Sequence, residues 1–206
     1  MGRPRGKNRA RVVAAALESL KRNGYGGSST RAIAAIGGFN PALIFYYFES
    51  LDDLLVAALA DSSADRLERY RGAVDEAQSL QELLDVLRVI YADDVASGHI
   101  RVVSEIVGAS VSNEKLAPRV LELMQPWVAI AEAGAARAVV DTPLEALVPP
   151  RTLALAAVSF YLGANLLTHL QGDFGDVTEV LERAAELAPL AGTIGGWTSP
   201  RDTSAS

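Results

Sequence analysis

The chain has 206 residues and half of them are apolar, which is enough to bury one large core or two small ones. It contains no cysteine, which excludes disulfides, zinc–thiolate sites and thiol nucleophiles and is typical of a reducing compartment. The net charge of −6 conceals an asymmetry, because residues 1–50 carry +6 and the remaining residues −12. A basic head on an acidic body predicts that the head meets a polyanion.

The N-terminal segment is polar and basic and lacks the apolar stretch of a secretory signal, so we expect a cytoplasmic protein. Apolar residues recur at helical spacing along the chain and no strand-like alternation is sustained, which predicts an all-α fold. The first helix is expected over residues 7–22, and Asn23-Gly24 ends it because glycine readily adopts the left-handed cap.

Two short helices follow the first. Ser28 or Ser29 can cap a helix over residues 30–36, which the Gly37-Gly38 pair stops. Asn40 caps a third helix over residues 42–48, with a first-turn proline in front of it. Two short helices joined by a glycine turn behind a basic helix predict a helix-turn-helix DNA-binding domain.

The body is expected to consist of longer helices. Ser50 begins a helix that reaches Tyr70, and later helices are expected over residues 79–97, 99–112, 114–140, 150–170 and 177–190. Pro126 should kink or split the helix over residues 114–140. The tail over residues 192–206 is rich in Gly, Ser, Thr and Pro, and we expect it to be partly disordered.

The segment over residues 152–172 carries no formal charge and approaches the ~20 apolar residues that span a bilayer. Polar residues such as Ser159, Asn165 and Gln171 interrupt it, and its many alanines lower its hydrophobicity. We therefore favour a buried interface helix over a membrane span and predict no membrane partner.

The string STRAIAAIGGFNPALIFYYFESLDDLL, which begins at Ser29, resembles the DNA-binding signature of the tetracycline-repressor family of bacterial transcription regulators. The resemblance covers roughly residues 8–60; beyond them only a broad helical layout is similar. It departs from the family pattern at Phe45, where the family usually has a phosphate-binding tyrosine, and at Leu51, where it usually has a phosphate-binding lysine. Both departures remove contacts to the DNA backbone, and an arginine-rich N-terminal arm could compensate for them.

The resemblance implies an arm and DNA-binding domain over residues 1–50, a ligand-binding and dimerisation domain over residues 51–191 and a flexible tail over residues 192–206. Residues 51–70 form the connecting helix. Phe39, Ile44 and Phe48 are expected to pack in the core of the head. The expected DNA-binding residues lie in the arm and on the helix-turn-helix: Arg3, Arg5, Lys7, Arg9, Ser29, Thr30, Arg31, Asn40, Pro41, Ala42, Leu43, Phe45, Tyr46 and Tyr47.

Two of these assignments keep an alternative. Arg31 either contacts a base or phosphate or is a solvated arginine. Of Tyr46 and Tyr47, we favour one packing internally and the other meeting a phosphate. The protein is expected to bind a double-stranded operator as a homodimer, through pairing of the two C-terminal helices, and no cofactor, metal or catalytic site is predicted.

An effector pocket in the body is also implied by the resemblance. The candidate lining is mostly apolar with a few polar groups, which suits an apolar or aromatic small molecule, although for any single residue ordinary core is the favoured alternative. The candidates are Tyr91, Ile106, Met124, Trp127, Phe160, Tyr161, Asn165 and His169.

Two other functions remain open from the sequence. An architectural DNA-binding protein without an effector would have a packed body without a cavity. An enzyme could use Asp93, Asp94, His99 and Glu105 as acid–base groups, but a charged helix surface explains the adjacent aspartates better.

Overall fold

The computed structural model describes residues 3–140, 142–171 and 175–191, without the side chains of residues 3–5, 143, 144, 169–171, 175, 176 and 189–191. The described residues are helical with no strand, which confirms the all-α prediction. The tail that we expected to be disordered lies outside them. The helices are α1 (Arg3–Gly27), α2 (Thr30–Gly37), α3 (Ala42–Tyr47), α4 (Leu51–Glu76), α5 (Leu80–Ala96), α6 (His99–Ser110), α7 (Ala117–Ala138), α8 (Pro143–Leu147), α9 (Pro150–Gln171) and α10 (Gly175–Ala191).

Short polar side chains set the starts of the head helices. The Ser29 hydroxyl accepts a hydrogen bond from the Ala32 amide, and the Asn40 side chain accepts one from the Ala42 amide. Gly38, at φ 63°, ends α2 in the left-handed conformation that favours glycine. The predicted boundaries of the two short helices are therefore confirmed to within one residue.

Several longer elements differ from the predictions. The first helix begins at Arg3, so the segment that we predicted as an arm is helical. The range runs to Gly27, but Gly24 is non-helical at φ 68°, so the helix is interrupted where its end was predicted. Helix α4 runs six residues past Tyr70. Of the predicted kink or split at Pro126, the split is wrong, because α7 continues through this residue. The proline costs one backbone hydrogen bond there, which the packing of α7 on α4 and α9 offsets.

One apolar core joins the head to the body. Ile33, Ile44 and Phe48 of the head are buried in it, as predicted for the last two. The N-terminal half of α4 contributes to the same core, and so do buried residues of α6 and α7. The head therefore packs directly on the body as well as being connected to it through α4.

The C-terminal half of α4 and helices α5, α6, α7 and α9 pack around the interior of the body. Helix α7 packs along α9, and α10 packs on α5. A second, smaller core forms where α5, α6, α9 and α10 meet, around Tyr91, Ala164 and Leu181. Among the described residues, no helix is long and apolar enough to cross a membrane.

Candidate DNA interface and effector cavity

The candidate DNA-binding surface of the head carries exposed aromatic residues on α3. Phe45 and Tyr46, adjacent on α3, are each 58% exposed, and Arg31 is exposed on α2. Large exposed aromatic side chains side by side are typical of a surface that contacts another molecule. Other candidates are also exposed: Lys7, Arg9, Ser29, Asn40 and Ala42.

Four candidates are only partly accessible. Thr30 and Pro41 are half-buried, and Leu43 and Tyr47 pack partly against the core. Leu43 therefore does not turn its whole side chain outward as we expected. It lies next to Ile44, at the edge of the buried face of α3, and packs partly against the core. Tyr46 stacks edge-on against Tyr47 with ring centroids 4.8 Å apart, so the more exposed tyrosine stands on the more buried one.

Four basic residues lie near the start of the first helix: Arg3, Arg5, Lys7 and Arg9. The guanidinium carbon of Arg9 lies 5.1 Å from the centre of the Phe48 ring. Lys7, two residues earlier on the same helix, is exposed. Arg3 and Arg5 lie in the first turns of α1, and their side chains are outside the described set. Placement on a helix limits how these cations can reach a neighbouring groove, since a helix cannot extend as an arm does.

Arg11 serves the turn of the helix-turn-helix. Its Nε donates to the Gly37 carbonyl and its Nη2 to the Gly38 carbonyl, both at 2.8 Å, while its guanidinium carbon lies 5.8 Å from the centre of the Phe39 ring. These contacts tie α1 to the turn that sets the direction of α3. Sequence reasoning counted Arg11 only as part of the basic charge.

The body contains a cavity of about 320 Å³ with an almost entirely apolar wall, enclosed by α4, α5, α6, α7 and α9. It is elongated: Leu80 and Asp94 of α5 both line it, and at ~1.5 Å per residue they lie about 21 Å apart along the helix. Its volume is at the lower end of the ~300–1,000 Å³ that is common for small-molecule sites.

The cavity wall contains three of the predicted pocket residues, Met124, Trp127 and Tyr161. The other predictions for this wall need correction. Ile106 is buried in the core between head and body, Phe160 packs against the smaller core, Tyr91 bonds Thr168 at 2.9 Å, and Asn165 donates to the Ile100 carbonyl at 2.8 Å. The side chain of His169 lies outside the described set.

Sequence reasoning missed the lining that α5 provides. Its apolar residues at spacings of three and four form one stripe along the whole cavity, and this spacing could have pointed to them. The stripe consists of Leu80, Leu83, Leu84, Leu87 and Ile90.

Four polar side chains line one end of the cavity, and we call them the polar cap: Tyr70, Asp94, His99 and Tyr161. Asp94 is 2% exposed, which makes a charged helix surface the wrong explanation for it. Burial raises the pKa of Asp94 and also those of Tyr70 and Tyr161. Burial lowers the pKa of His99 to about 4, so its imidazole is neutral near pH 7.

A hydrogen-bonded junction holds the start of α4 between the head and the body. The Tyr25 hydroxyl donates to Asp52 at 2.7 Å, and Asn113 donates to the same carboxylate at 3.0 Å. Arg119 of α7 pairs with Asp53, and the pKa of Asp53 is lowered, first by its hydrogen bond to the Ser50 hydroxyl and also by Arg119. Movement of α6 or α7 would therefore act directly on α4 and on the last turn of α1.

The outer faces of α9 and α10 carry exposed leucines. Leu155 and Leu166 lie 11 residues apart on α9, and Val180 and Leu187 lie 7 apart on α10, so each pair shares one face of its helix. Leu167, the next residue round α9 from Leu166, is also more than half exposed.

The head matches a protein-family model, and part of the chain matches a curated protein. Residues 12–58 match the family model described as "Bacterial regulatory proteins, tetR family". The fatty acid metabolism regulator protein of Bacillus subtilis (strain 168) is 23% identical over 119 residues, which are 58% of this chain. The match spans 61% of that relative, less than two thirds of its length.

Solved structures resemble almost the whole described chain. A protein described as a tetR-family transcriptional regulator from Rhodococcus sp. has a TM-score of 0.71 at 20% identity, covering 88% of this chain and 98% of that one. The Bacillus subtilis transcriptional regulator FadR, solved in complex with stearoyl-CoA, has a TM-score of 0.63 at 16% identity, covering 87% and 96%. At these identities the likeness is one of fold.

Proposed function

We propose that this chain, which belongs to the tetR family of bacterial regulatory proteins, is a repressor that binds its operator as a dimer and releases it when an apolar effector fills the cavity. The observation that carries the proposal is the path of α4. Leu54 and Leu55 near its start are buried in the core with the helix-turn-helix, and Tyr70 and Val74 near its end line the cavity. One helix therefore contacts both the DNA-binding head and the space for an effector.

The DNA contacts that we propose come from the exposed surface of α2 and α3 together with the first turns of α1. Phe45 and Tyr46 would meet the groove and its thymine methyls, with Arg31 beside them for a base edge or a phosphate. Lys7 and Arg9 would add sequence-independent affinity at the phosphates, in the cytoplasm where the operator lies. One short helix reads few bases, so two heads on a pseudo-palindrome are needed, roughly 34–36 Å apart or modestly farther.

The dimer that we propose forms through α9 and α10. Their exposed leucines would stay in contact with water in a monomer, whereas pairing with the same face of a second copy would bury them in a four-helix arrangement. A two-fold axis through this surface would place the two heads symmetrically, as a palindromic operator requires.

The effector that we propose is an apolar small molecule. The cavity favours this function over that of an architectural DNA-binding protein, because a body with no ligand would gain stability by filling so large a space. FadR of Bacillus subtilis, the structural neighbour with a TM-score of 0.63, holds stearoyl-CoA, whose acyl chain is long and apolar. An elongated apolar molecule also suits the length of the cavity along α5.

An effector can release DNA only if it binds more tightly to the protein when the heads are in the wrong spacing. We expect it to shift the C-terminal half of α4 away from α5 and α7, and the rigid helix transmits this shift to its start at the head. Catalysis is not part of this proposal.

The test begins with selection of bound duplexes from random DNA by the purified full chain. Operator affinity is then measured by fluorescence anisotropy with stearoyl-CoA or 1-decanol as the probe. We expect at least one probe to weaken operator binding about tenfold or more, a coupling of ~1–3 kcal/mol. If no sequence is enriched, or if both probes bind without changing operator affinity, the proposal is wrong.

Two variants on α7 sharpen the test. Trp127→Ala should change the response to the probe and leave probe-free operator binding nearly intact, because Trp127 lines the cavity. Leu121→Ala is the matched control, since Leu121 is exposed on the same helix and is not among the lining residues. Equal responses in both variants would contradict a role for the cavity.

A further inference from the structure

The polar cap is held together by the buried Asp94 carboxylate. Tyr161 of α9 donates to its Oδ2 atom at 2.7 Å. Arg66 of α4 donates to its Oδ1 atom at 2.7 Å. The Tyr70 hydroxyl of α4 lies 3.1 Å from the same atom and 2.6 Å from Asp93 Oδ2, and its single proton serves one of the two carboxylates. Three helices thus meet at one carboxylate in the cavity wall, and each of its oxygens already has a donor.

The charges at this end of the cavity balance. Arg66, whose side chain is 12% exposed, bridges Asp93 and Asp94, and Arg69 pairs with Asp93 on the outer side. His99, held by Ser62 at 3.1 Å, is neutral near pH 7. Among the side chains that the structure describes, no lysine or arginine lines the cavity, and Asp94 is the carboxylate that does.

An ionised group at the end of a ligand would find no suitable partner here. A carboxylate would approach Asp94 with no cation in the described lining to pair with it, and an unpaired buried charge is strongly unfavourable. An ammonium group would compete with Arg66 for a carboxylate whose two oxygens both already accept hydrogen bonds, and it would add a positive charge to a balanced cluster. Both charged ends are therefore disfavoured relative to a neutral one.

A neutral hydrogen-bond donor does find a partner. Tyr161 uses its proton on Asp94, so the lone pairs of its hydroxyl oxygen are available to accept a hydrogen bond, and this side chain lines the cavity. A hydroxyl or N–H group on a ligand can donate to this oxygen without breaking any bond of the cap.

We propose that the effector is an elongated, uncharged molecule whose cap-facing end is a hydroxyl or N–H donor bonded to Tyr161, and that the site excludes carboxylate and ammonium ends. The inference rests on the proposed function of the cavity and adds the chemical class of its ligand. It applies to the part of the molecule that reaches the cap, so a charged group that stays outside the cavity is unaffected.

The test uses three probes that share a ten-carbon chain: 1-decanol, decanoate and decylammonium. The chain has two tryptophans, Trp127 in the cavity wall and Trp197 outside the described residues, so Trp127 fluorescence in a Trp197→Phe background reports binding. At pH 7.5 we expect 1-decanol to bind at least tenfold more tightly than either ion. Equal or tighter binding of an ion would overturn the inference and leave the cavity proposal standing.

Substitutions at the cap separately test the hydroxyl of Tyr161 and the charge of Asp94. Tyr161→Phe keeps the ring and should weaken 1-decanol binding threefold to tenfold, whereas Tyr91→Phe is the control, because Tyr91 is a buried, hydrogen-bonded tyrosine that is not among the lining residues. In Asp94→Asn, the ratio of the affinity for 1-decanol to the affinity for decanoate should fall at least threefold. Equal effects of the two tyrosine changes would show that the Tyr161 hydroxyl does not meet the ligand.

These outcomes are distinguishable from failure of the proposed function. If none of the three probes binds the Trp197→Phe chain while stearoyl-CoA still weakens operator binding, the inference falls and the proposed function stands; if stearoyl-CoA has no effect either, both fall. If Asp94→Asn does not fold, as judged by its circular dichroism, the order of the three probes and the two tyrosine variants still decide the inference.

Discussion

The backbone amide of Tyr25 donates a hydrogen bond to Glu105 Oε2 at 2.8 Å, linking the last turn of α1, just after the non-helical Gly24, to the middle of α6. The preceding residue, Gly24, has φ 68°, and a Cβ atom there would lie 2.6 Å from the same carboxylate oxygen. The close approach therefore requires glycine. Helix α6 also lines the cavity through His99 and Val103, so this bond is a second connection between cavity and head, besides α4.

We expect Glu105→Ala to weaken the coupling between cavity and head. Effector affinity should change little, but the ratio of operator affinities without and with effector should fall severalfold, and stability should fall by about 1–3 kcal/mol because the amide loses a charge-assisted hydrogen bond. Anisotropy titrations with and without probe, together with urea unfolding, measure both effects.

The matched control is Glu82→Ala. Glu82 accepts a hydrogen bond of the same length, 2.8 Å, from the Gln78 amide at the start of α5, away from the head. A similar loss of coupling in both variants would mean that general destabilisation, rather than the link to Tyr25, is responsible.

Arg11→Ala should weaken operator binding without removing a phosphate contact. Its guanidinium is engaged by the Gly37 and Gly38 carbonyls, so its loss should loosen the turn and misdirect α3, lowering operator affinity about tenfold. The slope of log affinity against log salt should stay unchanged, whereas Lys7→Ala should lower that slope by about one phosphate. A reduced slope in Arg11→Ala would instead assign this residue to the DNA backbone.

A charge on the outer face of α10 should separate the dimer. In Leu187→Glu the carboxylate would have to be buried without a partner at the proposed interface, so light scattering at micromolar concentration should report a monomer. Leu121→Glu, at a similarly exposed position on α7, should leave the mass unchanged. A monomeric parent chain, or a dimeric Leu187→Glu variant, would contradict pairing through this surface.

Acid should weaken the fold through His99. Burial lowers its pKa to about 4 from the ordinary 6.5, with Arg66 and Lys21 acting in the same direction and Asp93 in the opposite one. As pH falls, the unfolded chain takes up a proton on His99 near 6.5, whereas the folded chain does so only near 4. The contribution of neutral His99 to the free energy of unfolding is therefore fully present above 6.5 and is lost between these two values. By pH 5 the loss should be about 2 kcal/mol.

Urea unfolding at pH 7.5 and pH 5 in wild type and His99→Asn isolates this contribution. The comparison is needed because the raised pKa of Asp94 acts with the opposite sign, favouring the folded state as pH falls. The variant should lose about 2 kcal/mol less than wild type between the two pH values. An identical loss in both proteins would exclude His99 as its source.

The sequence by itself determined the local structure of the head and its match to a family model. Helix starts depend on a side chain three or fewer residues away, as with Ser29 on Ala32 and Asn40 on Ala42, and such contacts can be read from spacing alone. The left-handed Gly38 and the buried Ile44 follow from equally local patterns. The lengths of α1 and α4 were harder to predict, because helix length depends on tertiary packing as much as on propensity.

The tertiary structure alone decided which side chains face a core and which face the cavity. Ile106 and Met124 have the same helical periodicity and similar chemistry, yet Ile106 is fully buried between head and body, whereas Met124 packs against that core and also lines the cavity. The burial of Asp94 is equally non-local, since its donors lie 28 residues before it on Arg66 and 67 residues after it on Tyr161. Periodicity gives the apolar face of a helix, but the neighbouring helices determine whether that face meets packed atoms or an open space.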